Sequence, residues 1–280
     1  MLDLLSSFQD IPTIPEVLAR IWQLVDDPRS SASDLEKVVS MEPPLAAKVL
    51  RLANSPYYGG RGRIKDVQTA ITALGFHTLR NLAICLSVAS SLQRRGSSKS
   101  IVDHRALWQH SVAVAVLARE VARAVSLDEP DEVFTAGLLH DLGKFVISLG
   151  RPEAYSEVLR RRDAVGMTLL GAESSVLGFD HAAVGAGFAE RWHFPERLQE
   201  LILHHHEDPN RSLSREKHVL RLADALSYEL RPVSVLGVEE DHAIDPLDLD
   251  RLGLGVDWCE SARDNLIDRI QEAQEFMNLL

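Results

Sequence analysis

Apolar residues recur along most of the chain at the spacing of a helix rather than that of a strand. In the first clear example they lie three, four and seven positions apart, which places them on one face of a helix. These residues are Val17, Leu18, Ile21, Leu24 and Val25. Alternation of single apolar and polar residues, the pattern of a half-buried strand, is hard to find anywhere in the sequence. The pattern therefore predicts an all-α fold.

Residues that begin helices lie where the periodic segments start. Pro15 and Pro44 are placed for a first helical turn, where the missing backbone N–H has no helical partner to lose. Ser33 and Glu36 have the spacing of a capping box, and Pro195 begins the segment PERLQELILHHH. These signals predict helix starts at four places along the chain.

Polar stretches divide the chain into three predicted parts. The segment QRRGSSKS at 93–100 is polar and small, which is typical of a surface connection between two helical lobes. After Leu230 the chain becomes acidic and irregular through VEEDHAIDPLDLD, and an amphipathic segment from about Cys259 to Leu280 closes it. We predict an N-terminal helical lobe at 8–95, a helical core at 101–232, and an acidic connection with a final helix at 233–280.

Charge and composition disfavour two kinds of partner. The net charge of −11 disfavours nucleic acid, because binding its backbone requires Lys and Arg to neutralise phosphates. No window reaches about eighteen uninterrupted apolar residues, and the N-terminus lacks the basic start of a secretory signal. We therefore expect no nucleic acid, no membrane and a cytoplasmic location.

The two cysteines, Cys85 and Cys259, have no metal-site spacing and are predicted to be reduced and buried.

Potential metal ligands follow one another between residues 110 and 224. In chain order they are His110, His140, Asp141, His181, the run His204, His205 and His206, and Asp224. Single residues have ordinary alternatives: His110 as a hydrogen-bonded core histidine, or Asp224 as a carboxylate paired with Arg221. Burying all of them on apolar helix faces is costly unless a shared metal or a dense hydrogen-bond network satisfies them together. Imidazoles and carboxylates suit iron, manganese or zinc, and an aspartate can bridge two ions.

The order H…HD…H…HH…D on predicted helices resembles the HD superfamily of metal-dependent phosphohydrolases. The segment HDLGK is similar to the HD-GYP branch of that superfamily, whose lysine helps to hold a substrate phosphate. The resemblance gives this role to Lys144, and the ordinary alternative is a lysine favoured by the dipole of a helix end. The Gly-Tyr-Pro signature is missing, because HHHEDPN is followed by RSLSREKH.

Segments in both halves of the chain resemble the HDOD domain. They are IPTIP at 11–15, PPLAAKVLRLANS at 43–55, AITALG at 70–75, LGFDH at 177–181 and WHFP at 192–195. The resemblance covers residues 8–230 and implies a multi-helix HD-type bundle with an N-terminal helical lobe. HDOD proteins are bacterial regulatory modules, many of which have lost HD ligands, whereas this chain keeps the whole set. Glu42 precedes Pro43 where the family usually has aspartate.

The HD arrangement, carried over to this chain, implies two metal ions. His110, His140, Asp141 and Asp224 would hold one, and Asp141 would bridge to a second held by His181, His205 and His206. The run HHE ending at Glu207 matches the family's register, so His204 is expected to be a neighbour of the site. Ala106 stands where some relatives have a further acidic ligand, so at most two ions are expected.

A basic stretch in the N-terminal half is predicted to be a solvated loop rather than an anion or partner-protein contact. Its residues are Lys48, Arg51, Arg61, Arg63 and Lys65. Asn54 and Ser55 lie between these cations, and we expect their side chains to hydrogen-bond to neighbouring backbone.

Two functions from different classes fit these features. The first, which we favour, is a bacterial HDOD regulatory module of signal transduction with a retained divalent-metal site, acting through an unknown signalling protein or a nucleotide or other phosphate ligand. The second is a metal-dependent phosphohydrolase acting on a nucleotide or cyclic dinucleotide, with a metal-activated hydroxide as nucleophile. There, Asp141 would bridge the ions and Lys144 would neutralise a phosphate oxygen. A structural scaffold with hydrogen-bonded histidines would predict neither metal nor turnover.

Overall fold

The structure, a computed structural model, describes residues 16–55, 63–80, 102–230 and 243–278. Across these ranges the chain forms helices and turns and no strand, so the predicted all-α class is confirmed. The predictions for Pro15, Arg61, Cys85 and the connection at 93–100 lie outside the described residues. Cys259 is a buried free cysteine, as predicted.

The chain divides into two compact units, one of residues Pro12–Arg94 with Gln271–Leu280, and the other of Met1–Ile11 with Arg95–Ile270. Helices of the first unit whose bounds lie within the described residues are α1 (Glu16–Asp26), α2 (Ala32–Ser40), α3 (Pro43–Ala53) and α4 (Val67–Leu74), and residues 76–80 are also helical. Its core is formed by apolar side chains from all four, including Ile21, Leu35, Val49 and Ile71. The bounds of the three predicted parts stay a prediction.

The capping box of α2 lies two residues earlier than the sequence spacing predicted. Ser31, and not Ser33, is the N-cap, and its hydroxyl accepts a hydrogen bond from the Asp34 backbone N–H. The Asp34 carboxylate in turn accepts from the Ser31 N–H at 3.1 Å. A serine-rich run offers more than one cap, and the shorter aspartate side chain closes the box here. Pro44 lies in the first turn of α3, as predicted.

Asn54 joins the end of α3 to the segment that precedes α4. Its amide nitrogen donates to the carbonyl oxygens of Leu50 and Ile64 at 3.0 and 2.8 Å. Its amide oxygen accepts from the Ile64 N–H at 3.0 Å. The hydroxyl of Ser55 donates to the Leu52 carbonyl at 2.7 Å. The predicted side-chain-to-backbone role of Asn54 and Ser55 is confirmed.

Replacing Asn54 with alanine is expected to loosen this connection. The backbone N–H and carbonyl of Ile64 would both lose their partner, the Asn54 side chain, and partly buried groups left without hydrogen bonds cost about 1–3 kcal/mol. Hydrogen exchange followed by mass spectrometry should show amides of α3 and α4 exchanging about tenfold faster or more. Thr72→Ala is the matched control, because its hydroxyl makes an exposed hydrogen bond within its own helix. Equal exchange in the two variants would contradict this role for Asn54.

The second unit is built around α5, in which every residue from His110 to Arg119 is buried. Its helices are α5 (His104–Ala124), α6 (Pro130–Leu139), α7 (Leu142–Gly150), α8 (Pro152–Val165), α9 (Leu169–Leu177), α10 (His181–Arg191), α11 (Glu196–Leu203), α12 (Arg215–Leu230), α13 (Pro246–Leu252) and α14 (Val256–Asn278), the last up to Ile270. Helix α5 packs against α6 and α12, and α10 packs against α7 and α11.

Two details after Leu230 differ from the sequence-based prediction. Part of the acidic stretch predicted to be irregular forms α13, because Asp245 caps its N-terminus and Pro246 takes the first helical position. The closing helix begins at Val256, three residues before the predicted start at Cys259.

The segment Pro130–Gly150 is long and apolar enough, by length and composition, to cross a membrane. It comprises α6 and α7, and 83% of its most apolar window is buried inside the protein. This burial is typical of core helices. The stretch therefore serves as packing for the second unit, and it carries His140 and Asp141 into that core.

Candidate metal centre

The second unit brings the seven predicted metal ligands together in two groups. Within each group, one ligand atom from every residue lies within 4.8 Å of the others. The first group comprises Asp141, His181, His205 and His206, and the second comprises His110, His140 and Asp224. That these residues bind metal stays a prediction.

The carboxylate of Asp141 lies between the two groups. Its Oδ2 is 3.5 Å from His110 Nε2 and 3.4 Å from His140 Nε2. Its Oδ1 is 3.4 Å from His181 Nε2 and 3.9 Å from His205 Nε2. Each carboxylate oxygen therefore faces a different pair of imidazoles, which is the arrangement expected of an aspartate shared by two ions.

Glycine at position 143 allows Asp141 and His181, two members of the first group, to lie side by side. Asp141 lies at the break between α6 and α7, and His181 is the first residue of α10. A Cβ atom at Gly143 would lie 1.9 Å from the His181 carbonyl oxygen, so a larger residue does not fit. Gly185 of α10 faces Gly143 in turn, its own Cβ position being 3.3 Å from the Gly143 nitrogen. This backbone contact holds His181 beside Asp141.

Asp224 faces the histidines rather than the arginine suggested as its ordinary partner. Its Oδ1 is 3.3 Å from His110 Nε2 and 3.8 Å from His140 Nε2. Arg221 instead pairs with Asp248 of α13 at 3.1 Å and donates to the Glu207 carbonyl oxygen. The proposed Asp224–Arg221 pair is wrong, because the Arg221 side chain extends toward α13.

Hydrogen bonds at Nδ1 assign the tautomers of two ligand histidines. His140 Nδ1 lies 2.7 Å from the Gly137 carbonyl oxygen, and His205 Nδ1 lies 2.6 Å from that of Ile202. A carbonyl oxygen only accepts hydrogen bonds, so each Nδ1 carries the proton. The Nε2 lone pair of each ring is therefore directed at the cluster.

The same reasoning holds for the other two histidines that face Asp141. His181 Nδ1 lies 2.7 Å from the Glu173 carboxylate. His110 Nδ1 lies 3.2 Å from Ser227 Oγ, whose proton is already donated to the Asp224 carbonyl. In the neutral form of the rings, which is the form that binds metal, four Nε2 lone pairs thus converge on two aspartates.

This convergence leaves buried acceptors facing one another. Within the ranges that the structure describes, His110 Nε2, His205 Nε2 and Asp141 Oδ1 have no hydrogen-bond partner. His181 Nε2 and His206 Nε2 are 3.0 Å apart, a hydrogen-bond distance in the metal-free protein that is also close to the ~3.0 Å between two nitrogens each about 2.1 Å from one ion at a right angle. Divalent cations satisfy such atoms together, so the residues present fit a metal.

Burial keeps most of the ligand histidines uncharged. It lowers the pKa of His140, and burial with neighbouring imidazoles holds the pKa of His205 and His206 well below the ordinary value. Burial also opposes charge on His181, but the Glu173 carboxylate raises the pKa of this imidazole. Neutral imidazole is the form that binds metal.

These shifts predict how the metal-free protein responds to acid. Below about pH 6.5 the unfolded chain protonates the three histidines whose pKa is lowered, and the folded chain binds fewer protons at them. His181 acts in the opposite direction, because its pKa is raised in the folded chain, so three destabilising shifts oppose one stabilising shift. Each proton that the unfolded chain binds in excess lowers the free energy of unfolding by about 1.4 kcal/mol for every unit by which the pH falls. Urea unfolding of chelator-treated protein should show stability falling from pH 7.5 to 5.5. The fall should be shallower in His206→Gln, and constant stability would contradict the shifts.

Lys144 lies in the first turn of α7 and is 3% exposed. Its ammonium donates to Asp141 Oδ2 at 3.0 Å. Burial alone would raise the pKa of Asp141, but His140, Lys144 and His181 hold it well below the ordinary value. The alternative of a lysine favoured by a helix end is wrong, because the dipole at the N-terminal turn disfavours a cation.

Several residues that support the centre carry no sequence signal. Glu173 and Ser227 contact ligand histidines, and neither belongs to the histidine–aspartate order. A buried pair of His218 and Asp248, 2.6 Å apart, joins α12 to α13. His204 lies outside both groups, with its Nδ1 3.1 Å from the Glu207 carboxylate.

A model of the HDOD domain family matches residues 11–208. An uncharacterized protein of Treponema pallidum (strain Nichols) is 28% identical over 206 residues, which are 72% of this chain. The chain spans only 38% of the length of that relative.

Solved structures share the fold across nearly the whole chain. An HDOD domain protein of unknown function from Geobacter sulfurreducens has a TM-score of 0.77 at 24% identity, covering 97% of this chain and 96% of its own. A candidate signal transduction protein from Marinobacter aquaeolei VT8 has a TM-score of 0.75 at 26% identity. That match covers 95% of this chain and 58% of the Marinobacter chain.

Proposed function

The chain belongs to the HDOD domain family, and from this membership we propose that it is a bacterial regulatory module of signal transduction that binds two divalent metal ions. The observation that carries the proposal is the convergence of four Nε2 lone pairs on buried aspartates. The similarity to a candidate signal transduction protein supports the regulatory part. Its output would pass through a signalling protein or a small phosphate ligand.

The two ions would be held by different ligand sets that share one carboxylate. His110, His140 and Asp224 with Asp141 Oδ2 would hold one, and His181, His205 and His206 with Asp141 Oδ1 would hold the other. Nitrogen and oxygen ligands of this kind suit iron, manganese or zinc.

Enclosure of the centre favours a regulatory role over turnover. Six of the seven ligand residues are buried, and only His206 is partly exposed. The amine of Lys144, the group expected to hold a substrate phosphate, is directed at Asp141. A substrate would have to reach the buried centre past His206. A metal ion is small enough to be enclosed by the ligand side chains themselves.

A phosphohydrolase is the second candidate, and the position of Asp141 between the two groups favours it. Bound divalent ions in such a pair supply an activated water and stabilise charge on a phosphate. In this function Asp141 would keep the two ligand groups in register, and Lys144 would neutralise a phosphate oxygen of a nucleotide or cyclic dinucleotide.

Metal content and turnover, measured on the same preparation, distinguish these functions. Elemental mass spectrometry of protein purified without a histidine tag is expected to give about two ions per chain, fewer in His205→Gln and the same number in the neighbouring His204→Gln. The metal-loaded protein would then be assayed on nucleotides and cyclic dinucleotides. Turnover that disappears in Lys144→Met would favour the enzyme. Folded wild-type protein that takes up no metal would remove both proposals.

A further inference from the structure

Glu173 of α9 is fully buried and holds His181 in two ways. One carboxylate oxygen, Oε2, accepts the His181 backbone N–H at 2.9 Å and the ring Nδ1–H at 2.7 Å. The other oxygen, Oε1, accepts the Tyr155 hydroxyl of α8 at 3.3 Å. The carboxylate thus fixes both the start of α10 and the orientation of the His181 ring.

The charge of Glu173 distinguishes His181 from the other ligand histidines with an assigned tautomer. The Nδ1–H partners of His140 and His205 are backbone carbonyls, and that of His110 is a serine hydroxyl. A carboxylate partner makes an imidazole a more basic ligand and fixes its orientation, and loss of such partners typically costs 10–100-fold in metal affinity. His181 faces Asp141 Oδ1, so this effect belongs to the first ligand group.

We infer that Glu173 is a positioning residue that sets the affinity of the ion on the Asp141 Oδ1 side and leaves the ion on the Oδ2 side unchanged. The inference rests on the proposed two-ion centre. It is specific to one side because the rings of His140 and His110 are held at Nδ1 by the Gly137 carbonyl and the Ser227 hydroxyl rather than by a carboxylate.

Glu173→Gln is the direct test, because glutamine keeps the size of the side chain and an accepting oxygen but loses the charge. We expect the Oδ1-side ion to bind 10–100-fold more weakly and the other ion to bind within about threefold of the wild-type value. Glu157→Gln is the control for the same loss of charge, since Glu157 pairs with Arg160 on the exposed side of α8. It should change neither affinity.

Glu173→Asp separates charge from packing. Aspartate keeps the charge but is shorter, so a charge effect predicts tighter binding of the Oδ1-side ion than in Glu173→Gln, and a packing effect predicts the reverse. We expect the aspartate variant to stay within about tenfold of the wild-type affinity. Loss of that ion in Glu173→Asp would overturn the inference whether or not the glutamine variant folds.

The measurement is a titration of chelator-treated protein with Mn²⁺ and, separately, Zn²⁺ against a competing chelator, which resolves two affinities per chain. One weakened affinity in Glu173→Gln supports the inference. Two equally weakened affinities, or none, overturn it while the two-ion centre stands. A wild-type protein that binds neither metal removes the centre, and the inference with it.

Discussion

Asp141→Asn should release both metal ions, although only one residue is changed. The two carboxylate oxygens face different imidazole pairs at 3.4–3.9 Å. Asparagine removes the negative charge from both sides and turns an amide N–H toward one pair of Nε2 lone pairs, which it would occupy as a donor. We expect both affinities to fall by more than the 10–100-fold typical of an outer partner, measured by elemental mass spectrometry after dialysis.

Asp224→Asn is the matched comparison for Asp141→Asn, because it removes a carboxylate from one ligand group only. Asp224 belongs to the group of His110 and His140, with its Oδ1 3.3 and 3.8 Å from their Nε2 atoms, so its loss should release the ion of that group and keep the other. One ion per chain in Asp224→Asn and none in Asp141→Asn would identify Asp141 as the shared ligand. Retention of one tightly bound ion in Asp141→Asn would show that the two groups are independent.

The helical fold and the candidate ligands were predictable because their signals are local or ordered along the chain. Helical periodicity repeats within a few residues, and the histidines and aspartates follow an order that resembles a known family. The assignment of Asp141 between two groups also came from that resemblance. The structure adds which oxygen faces which imidazole, and this depends on backbone contacts such as that of Gly143 with His181.

Partners that are distant in sequence were not predictable. Ser227 contacts His110 across 117 residues, and Asp248 pairs with His218 across 30. Glu173 is only eight residues from His181, but they lie on different helices with a turn between them, so no helical periodicity relates them. These polar residues look like surface positions in the sequence. Their burial follows from the packing of whole helices, which a single sequence does not reveal.

Gly143→Ala should lower stability and metal content together. The added methyl group would lie 1.9 Å from the His181 carbonyl oxygen. Since the methyl group is fixed to Cα and the oxygen belongs to the backbone, neither can rotate away, and α7 and α10 must separate by about 1 Å or more. Overpacking of this kind costs about 1–3 kcal/mol. The same shift moves His181 Nε2 away from Asp141 Oδ1. We expect a lower urea midpoint for the chelator-treated protein and loss of the ion on the Oδ1 side.

Gly255→Ala is the control for the general effect of adding a methyl group at a glycine. The nearest atom to its Cβ position is the Asp257 nitrogen at 4.0 Å, so both ions and the urea midpoint should stay at the wild-type values. Comparison of Gly143→Ala with Asp141→Asn also separates two causes of metal loss, because Asp141→Asn removes ligand charge while leaving the α7–α10 contact in place. If Gly143→Ala kept both ions and the wild-type midpoint, the backbone contact between Gly143 and His181 would not be what positions the first ligand group.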